Sequence, residues 1–93
     1  MKIDFTKVLY YSTYEDLESG SYRVTDCSKF FGNWMSFHSR KFEYDELGRR
    51  IYLSKGPVEI GQDEIDMLLR AIEESPLSVT IKRSLMNTIE RER

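Results

Sequence analysis

Apolar and polar positions alternate near the amino end of this chain and take a helical period near its carboxyl end, predicting a β-rich front and an α-helical back. In residues 3 to 12, Ile3, Phe5, Leu9 and Tyr11 share one parity and Val8 and Tyr10 the other, which reads as a strand apolar on both faces towards its end. Residues 13 to 20 carry three acids and close in Ser19-Gly20, a glycine suited to a left-handed turn position. Tyr22-Arg23-Val24-Thr25 then alternates as a second strand, so the first 25 or so residues predict a long β-hairpin.

Asp26 is an N-cap candidate, because its carboxylate accepts a hydrogen bond from an orphan amide of a first helical turn. Cys27, Phe30, Phe31, Trp34, Met35 and His38 then form one helical stripe. Against a long helix stands Gly32-Asn33, a plausible stop followed by extended chain over residues 34 to 44, and a short helix followed by a strand is the preferred reading. Phe42-Glu43-Tyr44 and Ile51-Tyr52-Leu53 flank Asp45-Glu46-Leu47-Gly48, the pattern of a second β-hairpin with glycine in its loop.

Beyond the break at Gly56-Pro57, Ile65, Leu68, Leu69 and Ile72 recur at helical spacing behind Asp63 and Glu64, predicting a helix over residues 62 to 74 that Ser75-Pro76 ends. Ser78 caps a last helix with Ile81, Leu85, Met86 and Ile89 on its apolar face. The expected architecture is α+β: a small antiparallel sheet of two β-hairpins packed against a C-terminal helical hairpin, with a short helix between the β-hairpins. At 93 residues, 1–93 is read as a single domain.

Composition narrows this picture. With 40% hydrophobic and 13% aromatic residues the chain has the apolar surface to offset its ordering entropy, which excludes a disordered segment. Fourteen basic against 16 acidic residues exclude both a uniformly basic nucleic-acid coat and a strongly acidic DNA mimic. The longest apolar runs, such as Val8 to Tyr11, fall far short of the roughly 20 residues of a membrane span. An acid at Asp4 interrupts any secretory signal, and the lone Cys27 forms no internal disulfide. The expectation is a cytoplasmic protein with no membrane partner.

Little in the sequence points to catalysis. A Cys27 nucleophile needs an imidazole beside it, and on one helix His38 lies about 16 Å further along the axis. One histidine and one cysteine cannot complete a zinc site, and Asp63, Glu64 and Asp66 read as a match to the helix dipole. Glu43 and Asp45 sit where solvent keeps both ionised, and the five glycines are too scattered to cradle a phosphate. No catalytic residue, metal or cofactor is expected, and the chain is read as no enzyme.

Two binding readings remain. Arg40, Lys41, Arg49, Arg50 and Lys55 outnumber Glu43, Asp45 and Glu46 in the middle hairpin, interleaved with Trp34, Phe37, Phe42, Tyr44 and Tyr52, as a nucleic-acid binder that stacks bases requires. In the first hairpin Tyr10, Tyr11, Tyr14 and Tyr22 are more tyrosines than one side of a small sheet buries. Tyr10, Tyr11 and Tyr14 are therefore read as anchors for a protein partner, with Glu15, Asp16 and Glu18 as steering charge. This second reading leads. It implies a small non-enzymatic regulator or inhibitor that occupies a surface of a larger macromolecule, the role of phage or mobile-element inhibitors, antitoxins and immunity proteins. Trp34, Phe37 and Met86 leave a homodimer seam open as well.

Overall fold

The computed structural model describes residues 1–92, and within them the chain is α+β, with two small two-stranded antiparallel sheets and five α-helices. Strand β1 (Lys2–Ile3) stops early because the Asp4 carboxylate turns back to accept the Thr6 amide at 2.9 Å and the Thr6 hydroxyl at 2.5 Å. The strand expected over residues 3 to 12 is thereby split, and β2 (Val8–Tyr10) is its second half. β2 pairs antiparallel with β3 (Arg23–Thr25), matching Val8 to Thr25 and Tyr10 to Arg23. The first hairpin thus exists, with helix α1 (Tyr14–Ser19) in its connection. The Thr13 hydroxyl caps α1 by accepting the Asp16 amide at 3.1 Å, and Gly20 closes it at φ +74°, the left-handed turn position read from the sequence.

Helix α2 (Ser28–Asn33) starts one residue later than expected, with Cys27 rather than Asp26 at its N-cap, although the Asp26 carboxylate accepts the Ser28 amide at 2.9 Å. It does not stop at Gly32-Asn33. The chain continues through a π-helical turn over Trp34–His38, so the extended segment expected over residues 34 to 44 is corrected.

The second β-hairpin is also overturned. Phe42–Tyr44 is a 3-10 turn that runs into helix α3 (Asp45–Leu53). Tyr44, Leu47, Gly48 and Ile51 are all buried, and their spacing is helical. Arg49 lies 3.6 Å from Asp45 and Arg50 3.5 Å from Glu46, so opposite charges sit one turn apart along the outer surface.

Gly48 does not serve a turn, nor Gly32 a helix stop. A β-carbon on Gly32 would stand 2.7 Å from the Gly48 carbonyl oxygen and 2.8 Å from the Tyr52 amide nitrogen. One on Gly48 would stand 2.8 Å from the Met35 β-carbon. The two glycines let the backbones of α2 and α3 touch.

After α3 the chain forms β4 (Val58–Glu59), which pairs antiparallel with β1. A 3-10 turn over Gln62–Glu64 then opens α4 (Ile65–Glu74), which buries Ile65, Leu68, Ala71 and Ile72. The Ser75 hydroxyl donates to the Ile72 carbonyl at 2.8 Å to finish α4 before Pro76. Helix α5 (Val79–Glu92) returns with Leu85 and Ile89 buried and Ile81 and Met86 packed on the core, completing the expected helical hairpin. A row of rings crosses the core: Phe5 to Phe31 at 5.7 Å, Phe31 to Trp34 at 6.2 Å and Trp34 to Tyr44 at 6.2 Å.

Arg50 ties these parts together. Its guanidinium forks onto the Glu64 carboxylate at 2.6 and 3.1 Å and donates to the Glu59 carbonyl at 2.9 Å. The Arg50 hydrogen bonds, with the Gly61 amide at 2.9 Å, hold the Glu64 carboxyl below its ordinary value of 4.5.

Helical Gly→Ala changes ordinarily stabilise, but Gly32→Ala should lower unfolding free energy by ~1–3 kcal/mol because it overpacks the crossing, whereas Gly56→Ala, with open space around it, should be near neutral. Urea denaturation of both variants reads the difference. Because the folded Glu64 carboxyl titrates below 4.5, its contribution is complete above that pH and is withdrawn as pH falls from there through the lower folded value. Glu64→Gln should therefore cost ~1–3 kcal/mol at neutral pH and lose stability less steeply on acidification than the parent chain, as read by denaturation across the acid range.

Candidate functional site

Val8 of β2 points into the core while Leu9, the next residue, faces outward, so the strand carries a buried face and an open one. Helix α5 lies along this strand, and the Ser84 hydroxyl donates to the Leu9 carbonyl. Helix α1 and Tyr22, just before β3, stand on the other side. Between them runs an open groove of about 880 Å³. One wall is aromatic and aliphatic, made by Leu9, Tyr10, Tyr11, Tyr14, Leu17 and Tyr22. The other is polar and comes from α5, with Thr80, Arg83, Ser84, Asn87 and Arg91 facing the groove and Val79 and Glu90 beside them.

The three tyrosines singled out from the sequence come together here, although their surroundings differ. Tyr14 is 85% exposed at the groove rim. Tyr10 is half-buried, and Tyr11 stacks on Tyr22 with ring centroids 4.9 Å apart, a contact that draws the two ends of the hairpin together. The Tyr22 hydroxyl beside it holds the Tyr11 phenol above its ordinary value. Of the acids, Glu15 and Glu18 are exposed on α1 and do not line the groove. Asp16 is engaged within the chain: it accepts the Ser12 hydroxyl at 2.5 Å, and Arg23 stands 3.6 Å away after donating to Ser12 at 2.7 Å. These contacts, the Ser12 hydrogen bond foremost, hold the Asp16 carboxyl below its ordinary range.

The basic residues of the middle segment do not form one strip on a hairpin, because that hairpin is a helix. Lys41 pairs with Glu74 at 2.7 Å, Arg49 with Asp45 and Arg50 with Glu64, while Lys55 and Arg40 are exposed and Arg40 takes φ +62°. Of the rings proposed to stack bases, Tyr44 is buried and Trp34 half-buried, and Tyr52 carries the Lys29 ammonium 4.1 Å above its face. Phe37 and Phe42 project into solvent, 78% and 95% exposed. Met86, the other seam candidate, packs on the core.

Sequence reasoning missed the α5 wall. Thr80, Arg83, Ser84, Asn87 and Arg91 recur at helical spacing, so the polar face was visible, but nothing local tells that it turns toward a strand 75 residues earlier. Among the described residues no group of three or more His, Cys, Asp or Glu is placed to hold a metal ion, and no helix is long and apolar enough to cross a membrane. Comparison of the chain with protein-family models, curated proteins and solved structures finds no match in any of the three.

Cys27 is buried, and its desolvation, with the Asp26 charge adding to it, pushes the thiol up to about 11. His38 is exposed at the end of the π-helical turn. A thiol-specific reagent at mildly alkaline pH should accordingly leave Cys27 unmodified in the folded chain and label it fully in denaturant. Fast labelling of the native chain is the contrary outcome.

Proposed function

We propose that this chain is a small non-enzymatic regulator or inhibitor that acts in the cytoplasm by taking a segment of a larger protein into the groove between α1 and α5. The observation that carries the reading is the ring of exposed apolar side chains around that one groove: Leu9, Tyr14, Leu17, Tyr22 and Val79. Contiguous apolar surface of this kind marks interaction sites on small domains. Tyrosine suits the task because its ring supplies contact area while its hydroxyl stays hydrated in the free state. The polar α5 wall opposite gives such a segment donors and acceptors, the mixture of apolar centre and polar edge found in protein interfaces.

Tyr14 and Leu17 share one side of α1 and neither is buried, so their removal leaves the core intact. A photo-crosslinking residue at position 14 should capture a protein whether or not nuclease is present, and the same probe at position 55, away from the groove, should not. With that partner purified, Tyr14→Ala combined with Leu17→Ala should weaken binding by about 30-fold or more, the effect of losing one interface hot spot, with an unchanged melting temperature. Full affinity in a folded double variant, or capture that nuclease abolishes, would overturn the proposal.

A further inference from the structure

We infer that the segment accepted by the groove is acidic and amphipathic, with apolar residues on the tyrosine wall and two carboxylates on Arg83 and Arg91. This rests on the reading of the groove as a protein-docking surface. Its warrant is the state of the charges. Arg23, Lys41, Arg49, Arg50 and Arg70 each stand in an ion pair with Asp16, Glu74, Asp45, Glu64 and Glu43 respectively. Lys82, next to Arg83 in sequence, donates to the Glu73 carbonyl at 2.8 Å. Among the described residues no ion pair engages Arg83 or Arg91, and Arg91 reaches only the Thr88 hydroxyl at 3.5 Å. Glu90 also lines the groove, between Arg83 and Arg91 in sequence. In a chain of net charge −2, these two guanidinium groups are the positive charges of the groove lining.

Arg83 and Arg91 are eight residues apart on one helix, about 12 Å along its axis. Acidic residues four apart in an extended segment are separated by nearly the same distance, about 13 Å, and point to one face. The alternate side of such a segment, or the apolar stripe of a short helix, then faces Tyr14, Leu17 and Tyr22 across the groove. A nucleic-acid strand fits less well. Its phosphates follow one another without a gap, and Glu90 in the groove lining repels a continuous run of negative charge, whereas two spaced carboxylates can straddle it.

The test is a selection of random displayed peptides on the full chain, with each binder re-measured against Arg83→Glu/Arg91→Glu and against Tyr14→Ala/Leu17→Ala. The expected binders carry spaced Asp or Glu among apolar anchors, lose affinity on both double variants, and lose about tenfold on charge reversal. Melting curves confirm the fold, and Arg83→Gln/Arg91→Gln replaces the reversal if it fails to fold. Binders that need Tyr14 and Leu17 but are basic, or are indifferent to the arginine changes, overturn the acidic segment and leave the docking surface standing. A selection yielding no binder that depends on Tyr14 and Leu17 overturns both. A fluorescein-labelled oligothymidylate that binds the parent chain and is lost on charge reversal overturns the inference in favour of a nucleic-acid strand.

Discussion

Where α2 crosses α3, the space that a side chain would fill is occupied by backbone. The Gly48 carbonyl and the Tyr52 amide lie within 2.8 Å of the place a β-carbon on Gly32 would take, so the two helices meet at a distance that glycine alone permits. That closeness brings Met35 and Phe31 of one arm against Leu47 and Ile51 of the other, all buried, and lets the Lys29 ammonium reach the Tyr52 carbonyl at 2.6 Å. From this crossing the chain leaves α3 in the direction that pairs β4 with β1 and sets Arg50 onto Glu64. The ring row from Phe5 to Tyr44 carries the same core across to the front of the molecule.

The groove end is built differently. Helix α1 buries none of its residues and is held by the Thr13 cap, the left-handed Gly20, the Ser12–Asp16–Arg23 cluster and the Tyr11–Tyr22 stack. Elements with few buried apolar contacts open at lower free energy than the core they sit on. The structure therefore pairs a tightly packed body, centred on the α2–α3 crossing, with a wall held by polar and surface contacts. For the proposed docking surface this division would let α1 adjust to an incoming segment without disturbing the core.

How far the sequence discloses this arrangement depends on whether a residue's role is local. Ile65, Leu68 and Ile72 mark α4, and Leu85 and Ile89 mark α5, because their spacing alone decides which face is buried. Gly20 is legible for the same reason: a turn is a local event. Gly32 and Gly48 are illegible singly, since what each lacks is explained only by the other, and a glycine between aromatic and β-branched residues mimics a hairpin loop. Yet Tyr44, Leu47, Gly48 and Ile51, with opposite charges at Asp45/Arg49 and Glu46/Arg50, carry a helical period in the sequence itself. In the site, Tyr10, Tyr11 and Tyr14 stood out as surplus aromatics, whereas Asp16 looked like free charge because its Arg23 partner lies across the hairpin. The α5 wall depends on the distant Ser84–Leu9 contact and has no local signature at all.

The near-neutral total charge of the chain conceals an uneven placement of its charges in the fold. Around α3 and α4 the charges cancel in place: Arg50 with Glu64, Lys41 with Glu74, Arg49 with Asp45. At the groove the charges are mixed: Arg83, Arg91 and Glu90 line it from α5, while Glu15 and Glu18 are exposed on α1 outside its lining. Screening at physiological salt acts over about 8 Å, so arginines two helical turns apart act as separate points rather than as one field. Under the proposed docking, the two arginines would give an entering segment two separate contacts on the α5 side. Those contacts would set which of its edges faces α5, while the apolar ring would supply the buried area.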